Sequence, residues 1–275
     1  MSLSTAIKAI DAATKTYTTL MCEYCGKETF AVHDMAMCTG CESLVHLTRK
    51  VVQLKNPGLA GSLDTINRLV EAGEHEKAAQ IYEKLYADTK DPQLLYAEAL
   101  LYTKYSNYET SMISYDKQGF MDENIALRDS SLKQVSASKK LLAKLIYIAR
   151  GNVDKNIISI NTLYSLFLAQ LKFGDVRGAK RSLEMLSNLN NDYVHTYASM
   201  VFENAMGNYD SVIKNAEALL TQNSFSINAA YYLAFAWFKK GRIGDAKKLI
   251  NAAQGYLGSD TTESLVQDME EYGTY

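Results

Sequence analysis

With 275 residues, 47% of them apolar, the chain is long enough for one large domain or two smaller ones and can bury a real core. Its 29 basic and 31 acidic residues leave a net charge of −2, which excludes the strongly basic balance of a dedicated nucleic-acid binder. No run of about 18 apolar residues occurs, so no membrane-spanning helix is expected.

The first 20 residues alternate polar and apolar character and lack the apolar core of a signal peptide, which makes the cytoplasm the expected location. Residues 1–16 read as a short amphipathic helix. Leu3, Ile7 and Ile10 fall at helical spacing, and Ser4 is placed to cap its start. Such a helix packs either on a neighbouring element or on another molecule.

Residues 17–50 contain all four cysteines. Cys22-Glu-Tyr-Cys25 and Cys38-Thr-Gly-Cys41 are separated by twelve residues, the spacing of two knuckles facing one metal ion. Gly26 and Gly40 can supply the unusual φ that each bend needs. The runs Tyr17–Met21, Phe30–Val32 and Leu44–Leu47 are compatible with short strands, giving a zinc ribbon in which Cys22, Cys25, Cys38 and Cys41 hold one structural zinc. Four thiolates leave no open coordination position for chemistry. Iron is the alternative metal, but the second knuckle lacks the Cys-Pro-x-Cys-Gly form seen in rubredoxins. His33 and His46 are expected as surface or supporting residues. A unit this small gains its folding energy from the metal, on the order of 10 kcal/mol. Clustered cysteines also argue against a secreted disulfide framework.

Residues 51–60 read as a linker, with a turn at Pro57-Gly58. From 61 to 275 the chain repeats. Val70-Glu-Ala-Gly73-Glu-His-Glu-Lys-Ala78 matches Lys172-Phe-Gly174-Asp-Val-Arg-Gly-Ala179, Ala205-Met-Gly207-Asn-Tyr-Asp-Ser-Val212 and Lys240-Gly241-Arg-Ile-Gly-Asp-Ala246. Tyr105-Ser106-Asn-Tyr108 is a fifth match with serine for glycine. The turn positions 73, 106, 174, 207 and 241 are 33, 68, 33 and 34 residues apart, and 68 is twice 34. Glycine lets the chain leave one helix through a left-handed residue, and the Asp, Asn or Glu after it helps start the next. Small residues five positions on (Ala78, Ala179, Ala246) allow close helix approach, and Tyr82, Tyr115, Leu183 and Ile250 fill the hairpin cores. Residues 122–150 lack a turn glycine and read as one long helix ending at Gly151, and Thr261–Glu271 reads as a final helix capping the stack.

A period of about 34 with this punctuation resembles the tetratricopeptide repeat (TPR) family, over roughly residues 60–255. The expected fold is mainly α: a TPR-like superhelix of antiparallel helical hairpins preceded by a small β zinc ribbon. The resemblance implies that positions 2, 5, 9 and 12 of each first helix line a concave groove. Position 5 is Leu63, Tyr96, Tyr164, Tyr197 and Tyr231; position 9 is Asn67, Leu100, Leu168, Val201 and Phe235; position 12 is Val70, Thr103, Leu171, Asn204 and Phe238. The Lys, Asn and Arg that carboxylate-clamping TPR domains carry at these positions are largely missing. Tyrosine offers large contact area with a polar tip, so the groove is expected to bind a protein or peptide segment through Tyr96, Leu100, Tyr164, Leu168, Tyr197, Val201, Tyr231, Phe235 and Phe238. Alternatively, these tyrosines pack between hairpins, or the chain's own terminal helix fills the groove.

Motifs for catalysis are missing: there is no GxGxxG, GxxxxGK[ST], GxSxG or HExxH. His75 falls at a hairpin turn and His195 stands alone. The expectation is a non-enzymatic protein–protein interaction scaffold. A nucleic-acid-associated factor contacting its target through Lys27, His46, Arg49 and Lys50 is the alternative, although Glu23, Glu28, Asp34 and Glu42 balance that charge. A self-assembling structural protein is the third reading.

Overall fold

The computed structural model describes residues 1–16, 18–22, 24–25, 27–31, 35–46, 57–111, 121–154, 159–221, 225–257 and 259–272. The fold is mainly α-helical, with two small antiparallel sheets beside the cysteines. Among the described residues no helix is long and apolar enough to cross a membrane. The expectations for His33, for Arg49 and Lys50, for Gly26 and for Tyr115 fall outside the described residues.

The chain divides into two compact units, one formed by Met1–Glu23, Lys27–Lys55 and Lys180–Tyr275, the other by Tyr24–Gly26 and Asn56–Ala179. The division does not follow chain order, because most of the ribbon groups with the C-terminal hairpins.

In the first unit, α1 (Leu3–Thr14) is capped by Ser2, whose hydroxyl accepts from the Thr5 amide at 3.2 Å; Ser4, the expected cap, lies inside the helix. Ala6, Ile10 and Ala13 form its buried stripe. β1 (Thr18–Met21) pairs with β2 (Glu28–Ala31), and β3 (Met35–Met37) pairs with β4 (Leu44–His46), both antiparallel. β3 was not expected from the sequence. Its three residues are too few to show alternation. The helices of this unit are α8 (Asp192–Ala205), α9 (Tyr209–Leu219), α10 (Asn228–Lys239), α11 (Ile243–Ala253) and α12 (Ser259–Tyr272). Consecutive helices pack together, and α1 packs on α11. Thr262, Leu265 and Met269 seal α12 against the end of the stack.

The second unit contains α2 (Pro57–Glu71), α3 (His75–Thr89), α4 (Pro92–Ser111), α5 (Met121–Asp154) and α6 (Ile160–Phe173). Residues 57–60 belong to α2 rather than to a linker, since proline suits the first turn of a helix. Ser106 makes no turn: α4 runs through it to Ser111. Without glycine, nothing forces the backbone out of the helix at that position. The slot of double length is filled by α5, 34 residues and about 50 Å long, which continues past Gly151 to Asp154. Leu142, Leu145 and Ala149 are its apolar contribution to the core. Thr103 and Ser138 share a hydrogen bond at 3.0 Å where α4 meets α5.

Four turns share one geometry. Gly73, Gly174, Gly207 and Gly241 have φ between 75° and 90°. In each turn, the amide after the glycine donates to the carbonyl five residues earlier: Glu74 to Leu69, Asp175 to Gln170, Asn208 to Glu203 and Arg242 to Trp237, at 2.7–2.9 Å. This is the Schellman closure, which satisfies carbonyls left over at a helix end. Ala78, Ala179, Val212 and Ala246 are then fully buried at the start of the following helix, α7 (Val176–Ser187) included. Of the polar residues after these glycines, Asp175 caps through its side chain, accepting from the Gly178 amide at 2.9 Å, whereas Glu74 and Asn208 make no such bond.

Candidate metal centre and tyrosine face

The sulfur atoms of Cys22, Cys25, Cys38 and Cys41 lie within 4.8 Å of one another, and none is in a disulfide. Cys22 Sγ and Cys41 Sγ are 3.7 Å apart. Sulfurs bound about 2.3 Å from a tetrahedral zinc would sit roughly 3.8 Å from each other, so the residues present fit a metal ion at their centre. Cys22, Cys38 and Cys41 are buried and Cys25 is half-buried.

Hydrogen bonds close each knuckle. The Cys22 amide donates to the Lys27 carbonyl at 2.8 Å, and the Cys38 amide to the Ser43 carbonyl at 3.0 Å. Within the second knuckle the Gly40 amide donates to Cys38 Sγ at 3.2 Å, which stabilises a thiolate there. The left-handed residue of this turn is Glu42 (φ 58°) rather than Gly40. A non-glycine residue tolerates such a φ only where its surroundings hold it.

Those surroundings are a face of α8 and α10. Asn228, at the start of α10 and 5% exposed, donates through Nδ2 to the Cys38 carbonyl at 3.1 Å and to the Tyr197 hydroxyl at 3.0 Å. The Met37 amide donates to the Tyr193 hydroxyl at 3.2 Å. Tyr232 donates to Glu42 Oε1. The Tyr197 and Tyr232 rings meet edge to face, with centroids 6.3 Å apart. Burial pushes the Tyr197 phenol well above its ordinary value and the Glu42 carboxylate adds to this, while Asn228 opposes it. Burial likewise raises Tyr193.

The groove residues expected from the sequence are distributed unevenly. Tyr197, Val201 and Phe238 in the first unit are buried, and Tyr231 and Phe235 are half-buried. These last two stack at 6.4 Å, Tyr209 meets Phe235 edge-on, and the Lys239 ammonium lies over Phe235 and Phe238. In the second unit Tyr96, Tyr164 and Leu168 are buried and Leu100 is half-buried. Sequence reasoning missed Tyr193, Asn228 and Tyr232. Asn228 stands at position 2 of its helix, the position that the TPR pattern assigns to the groove but that carries no aromatic signal.

Outside this face, the second unit has an open cleft of about 800 Å³. Tyr147, Phe173 and the Arg150–Asp175 ion pair line it. Glu98 on α4 is 1% exposed, and its Oε2 has no hydrogen-bond partner among the described residues. Burial and the neighbouring Glu83 push its carboxyl up to about 7, opposed by Lys144.

No protein-family model matches this chain, and comparison with curated proteins gives no match.

Proposed function

We propose that this chain is a non-enzymatic protein-interaction scaffold of TPR type, with its ribbon held by one structural zinc ion. The observation that carries the reading is the α8–α10 face, which holds the chain's own second knuckle by main-chain carbonyl, main-chain amide and carboxylate. That is the chemistry of peptide recognition, and tyrosine supplies it with little entropy to lose. Support for the TPR architecture comes from four turns of one geometry at the spacing of that repeat. Support for zinc comes from a donor set made of sulfur alone, in a closed and largely buried site that leaves no position for a substrate.

In the first unit the expected groove residues that stay accessible are Tyr231 and Phe235, and we assign the partner contact to their stack. An affinity capture from native lysate with the full chain, treated with nuclease, tests this. A protein retained by the wild type and lost on Tyr231→Ala/Phe235→Ala supports the scaffold. A catch that nuclease abolishes and the double substitution leaves unchanged would replace it with the nucleic-acid alternative.

A further inference from the structure

We infer that the face built from Tyr193, Tyr197, Asn228 and Tyr232 is itself a docking site for an extended, acidic peptide segment of another protein, closed by the chain's own second knuckle and opened when that knuckle loses its metal. This deepens the scaffold reading and rests on it.

Three observations converge. The first is an unfilled bond. Asn228 carries both a donor and an acceptor in its side chain. The knuckle uses the donor, on the Cys38 carbonyl and Tyr197, while the buried Oδ1 has no partner among the described residues. An extended strand presents carbonyls and amides in alternation, so it can pair with both ends of that amide. A compact knuckle that engages the donor alone leaves a buried acceptor unsatisfied, an arrangement that costs about 1–3 kcal/mol. The face therefore fits an extended chain better than the segment now on it.

The second observation is charge. The face already holds a carboxylate, Glu42, at the Tyr232 hydroxyl. A carboxylate on an incoming segment would take the place of Glu42 at the Tyr232 hydroxyl.

The third is the weakness of the knuckle without its metal. β3 and β4 have three residues each and, among the described residues, pair only with each other. Strand pairs of this size do not hold a shape alone in water. Both Cys38 and Cys41 belong to the sulfur cluster, and Glu42 keeps its left-handed φ directly after them. Removing the ion releases the turn that presents the Cys38 carbonyl and the Glu42 carboxylate to the face. An outside segment then competes with a loose tether rather than with a locked one, and its apparent affinity rises with the fraction of open face.

The test uses the full chain and a fluorescent peptide copying residues 35–43 of this sequence, with Cys38→Ser and Cys41→Ser so that it cannot take the metal. Binding is measured by anisotropy before and after treatment with a chelator, with circular dichroism to follow the helices. Chelation is expected to tighten binding by about ten-fold or more, with the helical signal kept. In the chelated chain, Asn228→Ala and Tyr232→Phe should each weaken it, as should Glu42→Gln in the peptide. A metal-loaded chain carrying Glu42→Gln gives a second route, because its knuckle is loosened without chelation, and it too should bind more tightly than the wild type. Equal binding with and without metal, indifference to Asn228→Ala, or loss of the helices on chelation would each overturn the inference. The Tyr231/Phe235 capture tests the scaffold separately, since a partner retained there by the metal-loaded chain leaves that reading standing whatever the peptide does.

Discussion

Asn228 and Cys38, 190 positions apart in the sequence, are joined side chain to main chain, with Nδ2 of the first donating to the carbonyl of the second at 3.1 Å. The same amide group also donates to the Tyr197 hydroxyl, so one buried residue ties the knuckle to α8 and α10 together. Asn228→Ala removes both bonds and leaves a buried carbonyl without this donor. The expected loss is about 2–3 kcal/mol of unfolding free energy. Urea unfolding followed by tyrosine fluorescence measures it, and a change below about 0.5 kcal/mol, as for an ordinary surface substitution, would show the clasp to be energetically idle.

Metal content is directly countable. The four-cysteine cluster should hold one zinc per chain, lost in Cys22→Ser and in Cys38→Ser. In both variants the far-ultraviolet signal of the helices should persist, while the near-ultraviolet signal of Tyr193, Tyr197 and Tyr232 changes as their covering turn loosens. Elemental analysis and circular dichroism on the same samples decide. A coloured protein with visible absorption would point to iron instead, and collapse of the helical signal would show that the ribbon and the helices fold as one.

The punctuation of the repeats was legible in the sequence because each turn needs something only glycine supplies cheaply. At Gly73, Gly174, Gly207 and Gly241 the positive φ excludes most side chains, so the residue type reports the geometry. Ser106 shows the limit of that reasoning. It occupies the periodic slot but places no demand on the backbone, and α4 simply continues. The cysteine cluster was legible for a related reason, since its partners are close in sequence and chemically unambiguous. The clasp was not. Asn228 and Tyr232 each meet the knuckle across 190 positions, and such a pairing leaves no periodicity in one chain to find. Where tyrosines recur at one helical position, the pattern marks a special face but does not tell whether an outside segment or the chain itself occupies it.

The same substitution at two glycines should have opposite signs. Gly174→Ala places a methyl group on a residue with φ 90°, and the strain should cost about 1–2 kcal/mol even though no atom stands within 4 Å of the added carbon. Gly151→Ala lies inside α5 with open space around it, and should stabilise by about 0.5–1 kcal/mol through better helix propensity. Thermal unfolding of the two variants beside the wild type checks the pair. A destabilised Gly151→Ala would mean that α5 bends there.

Glu98 gives the pH dependence. Its folded carboxyl titrates near 7, above the ordinary 4.5, so burial favours the protonated form. The resulting stability is fully present below about pH 4.5 and is lost as pH rises through about 7. At about 1.4 kcal/mol per pKa unit, the rise from 4.5 to about 7 corresponds to a loss of about 3–3.5 kcal/mol. Glu98→Gln keeps the shape and removes the titration. Its unfolding free energy should exceed that of the wild type at about pH 8, and the wild type's decline between about pH 5 and pH 8 should disappear. Retention of the full slope in the variant would assign it to other groups.

The first unit draws its residues from both ends of the sequence, and this imposes an order of birth. A ribosome adding about 5–20 residues per second finishes the ribbon roughly 10–40 s before it reaches Asn228. Throughout that interval the four thiols and the second knuckle are made but the surface that will cover them is not. Metal capture therefore competes with oxidation on a nascent chain. The last hairpins then close over a turn whose state has already been decided.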